Sequence, residues 1–411
     1  MGKVSYGYSV PVGPIHPALK EPIEFHFEIE GERVKDVKIY AGHAHRGIEW
    51  IGTRRNPIQC LYISERICGI CSVTHALALA FAVEKALNIE VPPRAQYIRL
   101  IVAELERIHS HILWAGVAAH EVGFDSAFML LWKIRENVMD LLEKITGNRV
   151  NYAIVQIGGV RRDINEELRR EIWKSLDYYR TLSERIKVLL LEDPTFMMRT
   201  RNVGILSKED ALSLCAVGPT LRASGVPKDI RQDQPYIAYA DIGVKAITPD
   251  IYTGEIVGDV YDKTVVRLLE IDQSIDLIDK ALTMMPEGDI VYEKNLVKLL
   301  NLIKKGEGEG VGRHEGPRGE DVHYVKIVAG SENLAVWKIR APTYNNLLPW
   351  VPMFKDAEVA DIPIIVASTD PCMSCLNRVT VVYPSGRKEI LTHEELHKMS
   401  VEKTRRMRKK C

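Results

Sequence analysis

Apolar positions fall three and four residues apart along most of the first two-thirds of the chain. Ala95–Ala119, Ala127–Thr146, Glu166–Leu191 and Tyr261–Met284 each carry this spacing. It gathers side chains on one stripe of an α-helix and predicts long helices able to pack as a bundle. The helical pattern starts near Ser72 and runs to about Met285. Residues 23–40 (IEFHFEIEGERVKDVKIY) alternate instead, around Gly31, and predict a β-hairpin. Residues 306–319 (GEGEGVGRHEGPRG) are glycine-rich and mark a change to mixed α/β structure. Strands are expected at Val322–Val328, Ala335–Ile339, Ile364–Ser368 and Val379–Val382, and Pro384-Ser385-Gly386 turns the chain into Lys388–Leu391. Thr392 with Glu395 forms a capping box that opens a last helix. The expected fold class is α+β. A small N-terminal β-sheet occupies residues 1–60, a long helical-bundle core 61–305, and an α/β segment 306–411.

Composition narrows the function classes. A chain of 411 residues with 46% apolar content needs one large domain or two intimately packed ones. Charge is balanced, 55 Lys+Arg against 55 Asp+Glu, which argues against a nucleic-acid partner. The longest apolar runs, such as Ala76–Val83 and Ile112–Ala119, stop short of the ~18 residues of a membrane span. The N-terminus (MGKVSYGYSVPVGPIHP) lacks the charged and apolar regions of a signal peptide. The chain is therefore expected to be cytoplasmic, with any membrane contact made through a partner. Six of the last nine residues are Lys or Arg. That reads as a solvated helix end, with anionic lipid or an acidic neighbouring subunit as the alternative contact.

The chemistry lies in the cysteines. Of seven, four form two Cys-x-x-Cys pairs: Cys68 with Cys71, ahead of a helical stretch, and Cys372 with Cys375, after an expected strand. Two residues between thiols let both sulfurs face one metal, and a helix N-terminus favours the thiolate. Spacing alone leaves three readings: a structural zinc site, a redox dithiol, or a soft redox-metal site. His109 and His111 stand two apart on a helix, face different directions, and are expected to be structural.

The residues around the pairs decide among these readings. Glu65-Arg66-Ile67-Cys68-Gly69-Ile70-Cys71 and Asp370-Pro371-Cys372-Met373-Ser374-Cys375-Leu376-Asn377-Arg378 resemble the paired motifs of NiFe-hydrogenase large subunits. The likeness extends over nearly the whole chain, through Gly13–Pro17, His45–Glu49, Arg107–His111, Ile157–Val160, Arg222–Val226, Gly316–Gly319 and Arg340–Thr343. Several of these segments are similar to complex I and the membrane-bound, energy-converting hydrogenases.

The resemblance implies a hydrogenase large-subunit fold, with Cys68, Cys71, Cys372 and Cys375 at the NiFe ligand positions. Arg318 would stand over the metals beside Pro317 and Asp370; its bland alternative is a buried ion pair. Glu21 falls where such enzymes start proton transfer, and could equally be a lone exposed Glu. His16 and Arg46, on loops turned toward membrane or partner, resemble positions near a partner's iron–sulfur cluster, with ordinary loop hydrogen bonding as the alternative. No ferredoxin-like cysteine pattern exists here, so 4Fe–4S clusters are expected in partners. The implied partners are a small subunit carrying the proximal cluster, a further iron–sulfur subunit, antiporter- and complex I-related membrane-arm subunits, and ferredoxin. That places the chain on the cytoplasmic face of the membrane.

One departure bears on activity. Hydrogenase precursors are cut after the His or Arg that follows the last pair, once nickel is inserted. That point falls after Arg378, and 33 residues follow it. A chain keeping this extension is expected to be an immature precursor or a relative that never assembles the NiFe centre. The second option resembles the sulfane sulfur reductases of sulfur-respiring archaea, which pass electrons from reduced ferredoxin to polysulfide and pump ions. Sulfane sulfur reduction is thus the expected activity, and ferredoxin-dependent hydrogen evolution at a NiFe centre the alternative.

Overall fold

Three antiparallel strands open the chain in the order β1 (Gly7–Val12), β2 (Glu24–Glu30), β3 (Arg33–Tyr40). The computed structural model describes residues 7–376, 381–383, 385–389 and 391–408. β2 and β3 are the predicted hairpin, turning at Gly31 with φ of 64°. Phe25, Phe27 and Ile29 point inward on β2, and the polar residues between them point out, as a half-buried strand requires.

The principal helices are α1 (Ile48–Gly52), α2 (Ser72–Leu87), α3 (Pro93–Glu121), α4 (Asp125–Thr146), α5 (Glu166–Leu191) and α6 (Val260–Met284). The four long helices start and stop within a few residues of their predicted limits, because their apolar stripes are long, and side-chain caps mark the starts of two of them. Asn165 and Asp259 accept hydrogen bonds from Leu168 N and Asp262 N at the first turns of α5 and α6. α3 is buried on nearly every side, with α4 and α6 packed against it.

A second sheet follows: β4 (Gly308–Gly316), β5 (Gly319–Ile327) and β6 (Val336–Arg340), paired antiparallel in that order. Most of the glycine-rich stretch is thus a strand. A Cβ on Gly308, Gly310 or Gly312 would stand 2.2, 1.9 or 1.9 Å from the carbonyl oxygens of Ala86, Ala82 and Ala78 on α2. Alternate strand residues advance about 6.6 Å and every fourth helix residue about 6 Å. The glycine row therefore runs almost in step with the alanine row.

One expected strand is a helix. Ile362–Ser368 forms α7. A short apolar run looks the same for a buried strand and a buried helix, and Pro363 suits a first helical turn. Val381–Val382 pairs with Lys388–Glu389 as a short ladder, while Val379, Thr380, Pro384 and Ile390 of the expected strands and turn lie outside the described residues. The last helix, α8 (His393–Arg408), starts at the predicted capping box, Thr392 N donating to Glu395 at 2.7 Å. No described helix is long and apolar enough to cross a membrane.

The core has two main parts. The larger gathers α2 to α6 and holds all four paired cysteines, Cys68, Cys71, Cys372 and Cys375. The smaller joins Phe25 and Phe27 of β2 to Trp350, Phe354, Met373 and Leu376. Both cysteine pairs lie where these parts meet.

Candidate metal centre

Cys68 and Cys71 sit on the turn that enters α2, with Cys71 as its N-cap residue. The turn is tied down from α3. Glu106 accepts from Val73 N at 2.6 Å and from Thr74 N at 2.9 Å, so a buried carboxylate satisfies free N–H groups at the helix start. The second pair follows α7, where the chain reverses at Asp370 with φ of 53°. Cys372 N donates to Thr343 Oγ1 at 3.1 Å, and a single 3₁₀ turn carries Cys375 back under Cys372.

This brings the four sulfurs together from positions 300 residues apart. All four are buried. The sulfurs of Cys68, Cys372 and Cys375 lie within 4.8 Å of one another, and those of Cys372 and Cys375 are 3.0 Å apart. Cys68 accepts hydrogen bonds from the other three thiols, which holds it well below the ordinary thiol range. Donating to neighbouring sulfurs, together with burial, pushes Cys71 and Cys375 up.

Arg318, on the turn between β4 and β5, crosses the cluster. Its Nη1 donates to Cys71 Sγ at 2.8 Å and to Ser110 Oγ at 3.3 Å; Nη2 donates to Asp370 Oδ1 and Nε to Asp370 O, both at 2.8 Å. The ion pair and the sulfur contact are thus both present. Arg107 steadies the turn from below, donating to Glu315 O at 2.5 Å and Gly316 O at 3.1 Å. Asp370 Oδ2 is buried without a hydrogen-bond partner. Asp370, Arg318 and Cys372 border a mostly apolar cavity of ≈ 420 Å³, with Trp114, Trp132 and Glu21 among its walls. Glu21 accepts from Ser374 N at 3.1 Å and from the Ser374 hydroxyl, so it touches the second cysteine loop rather than standing alone.

Arg46 grips the loops without reaching the sulfurs: its guanidinium donates to the carbonyls of Arg66, Ile67 and Ser374. His16 lies apart on an exposed loop, where its Nδ1 accepts from Ala18 N at 3.2 Å. His109 and His111 take separate partners, Tyr152 OH at 3.0 Å and Glu270 at 2.9 Å, and neither joins the centre.

Sequence reasoning passed over His75, Asp321 and His323. His75 Nε2 lies 3.3 Å from Cys375 Sγ, and its Nδ1 lies 2.9 Å from Asp321 Oδ2, which is 3.2 Å from His323 Nε2. Trp337 Nε1 donates to His323 Nδ1 at 3.2 Å. That leaves the proton of a neutral His323 on Nε2 and takes this nitrogen out of metal binding. The trio therefore orients groups beside Cys375 and is not a second metal centre. A signal existed: His75 stands one helical turn after Cys71, and Asp321 and His323 share a strand face.

The donor set fits a nickel–iron centre. Four thiols supply soft ligands without a hard oxygen among them. Structural zinc sites are closed, whereas a cavity borders Cys372 and Asp370 here.

The chain matches the family model of the respiratory-chain NADH dehydrogenase 49 Kd subunit over residues 121–378 and that of nickel-dependent hydrogenases over residues 46–115. It is 46% identical over 407 residues to the membrane-bound hydrogenase subunit alpha of Pyrococcus furiosus, covering 98% of this chain and 95% of that one. It is 39% identical over 372 residues to the carbon monoxide-induced hydrogenase of Rhodospirillum rubrum, covering 90% and 99%. Among solved structures, a chain of the membrane-bound sulfane sulfur reductase, an archaeal respiratory membrane complex, superposes with a TM-score of 0.84 at 27% identity, covering 92% of this chain and all of that one.

Proposed function

The chain belongs to the family that unites the 49 kDa subunit of complex I with the large subunits of nickel-dependent hydrogenases, and from that premise we propose that it carries the hydrogen-evolving centre of its complex. It is the large subunit of a membrane-bound, energy-converting hydrogenase or complex I-like assembly. In this reading electrons pass from reduced ferredoxin through partner 4Fe–4S clusters to protons, at the cytoplasmic face of the membrane, and the membrane-arm subunits couple the step to ion pumping. The observation that carries it is the meeting of the Cys68, Cys372 and Cys375 sulfurs within 4.8 Å, with Cys71 beside Cys68 and held by Arg318. A centre retired to a scaffold has no need of the full soft-donor set or of a guanidinium pinned across it.

Cys68, Cys71, Cys372 and Cys375 would hold the nickel–iron pair. When bound, that pair supplies the redox chemistry interconverting protons, electrons and dihydrogen. The rest falls to the chain's own groups. Arg318, fixed by two bonds to Asp370, keeps a positive charge beside the sulfurs and helps to shape the water-poor end of the cavity. Asp370, on the wall of that cavity, keeps one carboxylate oxygen, Oδ2, without a hydrogen-bond partner and so able to accept an arriving proton. Glu21 holds the Ser374 hydroxyl proton and is placed to pass protons between loop and cavity. His16 and Arg46 lie on loops suited to face the partner's cluster.

The runner-up is sulfane sulfur reduction, favoured by the superposition on that reductase. The two readings place different demands on the thiols. In the purified complex, about one nickel per chain is expected, and Cys68→Ser or Cys375→Ser should abolish both nickel and hydrogen evolution. A wild-type complex without nickel that reduces polysulfide, and keeps part of that activity in the same variants, would replace this reading with the runner-up.

A further inference from the structure

Arg46 is exposed on the loop between β3 and α1, yet its hydrogen bonds go to backbone carbonyls. Nη1 donates to Arg66 O at 2.8 Å, and Nη2 donates to Ile67 O at 2.6 Å and to Ser374 O at 2.8 Å. Two of these acceptors immediately precede Cys68 and the third immediately precedes Cys375. Among the described residues, Arg46 has no carboxylate partner. Ser374 is held completely: Glu21 takes its N–H and its hydroxyl, and Arg46 takes its carbonyl. Every polar group of that residue is thus fixed by the first fifty positions of the chain.

We propose that Arg46 is a positioning residue, a clamp across the two cysteine loops that sets how the second pair meets the first. The inference rests on the reading that both pairs form one centre. Arginine suits the task because its planar fork presents several N–H groups at fixed angles, whereas a lysine ammonium is one point on a flexible stem. The consequence is chemical. Four ligands must arrive in range together, and loops already ordered lose less conformational freedom when metal enters. The bland alternative is an exposed side chain that decorates the loops without constraining them.

Thiol cross-linking reads the clamp directly, without nickel. The full chain, metal-free and reduced, is treated with diamide, and disulfides are mapped by peptide mass spectrometry in wild type, Arg46→Lys and Arg46→Ala. Bridges joining one cysteine of each pair are compared with bridges inside a pair. The cross-pair share should fall about fivefold in Arg46→Ala, the weight of about one net hydrogen bond, with Arg46→Lys between. An unchanged share in folded Arg46→Ala overturns the clamp. Should that variant not fold, the same comparison in Arg46→Lys and Arg46→Gln decides it. Nickel content of the assembled complex separates this inference from the functional reading. Wild type without nickel but with clamp-dependent cross-linking loses the hydrogenase reading alone. Wild type with nickel and clamp-independent cross-linking loses the clamp alone.

Discussion

Single residues in this molecule are held by geometry that burial makes expensive to disturb. Arg318 shows the principle at the centre, where one guanidinium answers a sulfur, a hydroxyl and a carboxylate at once. Lys263 on α6 shows it away from the centre. It is fully buried, and its Nζ donates to the carbonyls of Gly204, Gly258 and Asp259 at 3.0, 2.8 and 3.2 Å. Burial outweighs the neighbouring Asp259 charge and lowers its pKa from 10.5 to about 7. The unfolded chain keeps a proton that the folded chain has lost between those values. This group's cost to stability is therefore fully present below pH 7 and is relieved as pH climbs toward 10.5. Denaturation of wild type against Lys263→Met at pH 7 and pH 10 should show wild type gaining on the variant by a few kcal/mol, roughly. A gap that stays constant between the two pH values would mean that Lys263 is charged in the fold throughout.

At the scale of elements, the contact between β4 and α2 sets the site. α2 begins at Cys71 and carries His75, while β4 ends at the turn that carries Arg318. The glycine–alanine contact is the physical link between the first cysteine pair and the guanidinium above it. A methyl at Gly310 would stand 1.9 Å from Ala82 O, and backbone cannot retreat as a side-chain tip can. Gly310→Ala should cost roughly 1–3 kcal/mol or more, as overpacked sites do. It should also reduce nickel content in the assembled complex, because strand displacement carries Arg318 with it. Calorimetry with metal analysis checks both, and a variant matching wild type in both would show that the strand can shift freely. α7 teaches the complementary lesson: local pattern placed an apolar strand at Ile364–Ser368, but its neighbours chose a helix over Ile362–Ser368.

For the whole molecule, the centre lies on the seam between the two core regions. All four cysteines belong to the helical core, and Met373 and Leu376, beside the second pair in the chain, belong to the smaller one. Metal bound to all four sulfurs would staple the seam, and a ligand bound only by the folded state stabilises what it joins. Hydrogen exchange on the complex should slow most in β2, β3 and residues 362–376 when metal is loaded, with α4 and α5 little changed. Uniform slowing, or none, would count against a centre that bridges the seam.

How much of this was legible in the sequence follows the same scales. The hairpin at residues 24–40, the four long helices and the last helix with its capping box depend on neighbours within a few positions, so periodicity and caps sufficed. Both Cys-x-x-Cys pairs and the Arg318 turn were legible because each motif is local and distinctive. His75, Asp321 and His323 were not, since their meeting joins a helix face to a strand face across more than two hundred residues. Arg46 was placed near a partner's cluster, and its carbonyl contacts to both cysteine loops could not be foreseen, because a carbonyl leaves no mark in residue identity. The glycine row looked like a boundary, and only a helix with alanines in matching step made it a strand. Sequence by itself determined which groups could do chemistry here and which local elements would carry them. Tertiary structure alone decided which of them meet, because those contacts are selected by packing between segments far apart in the chain.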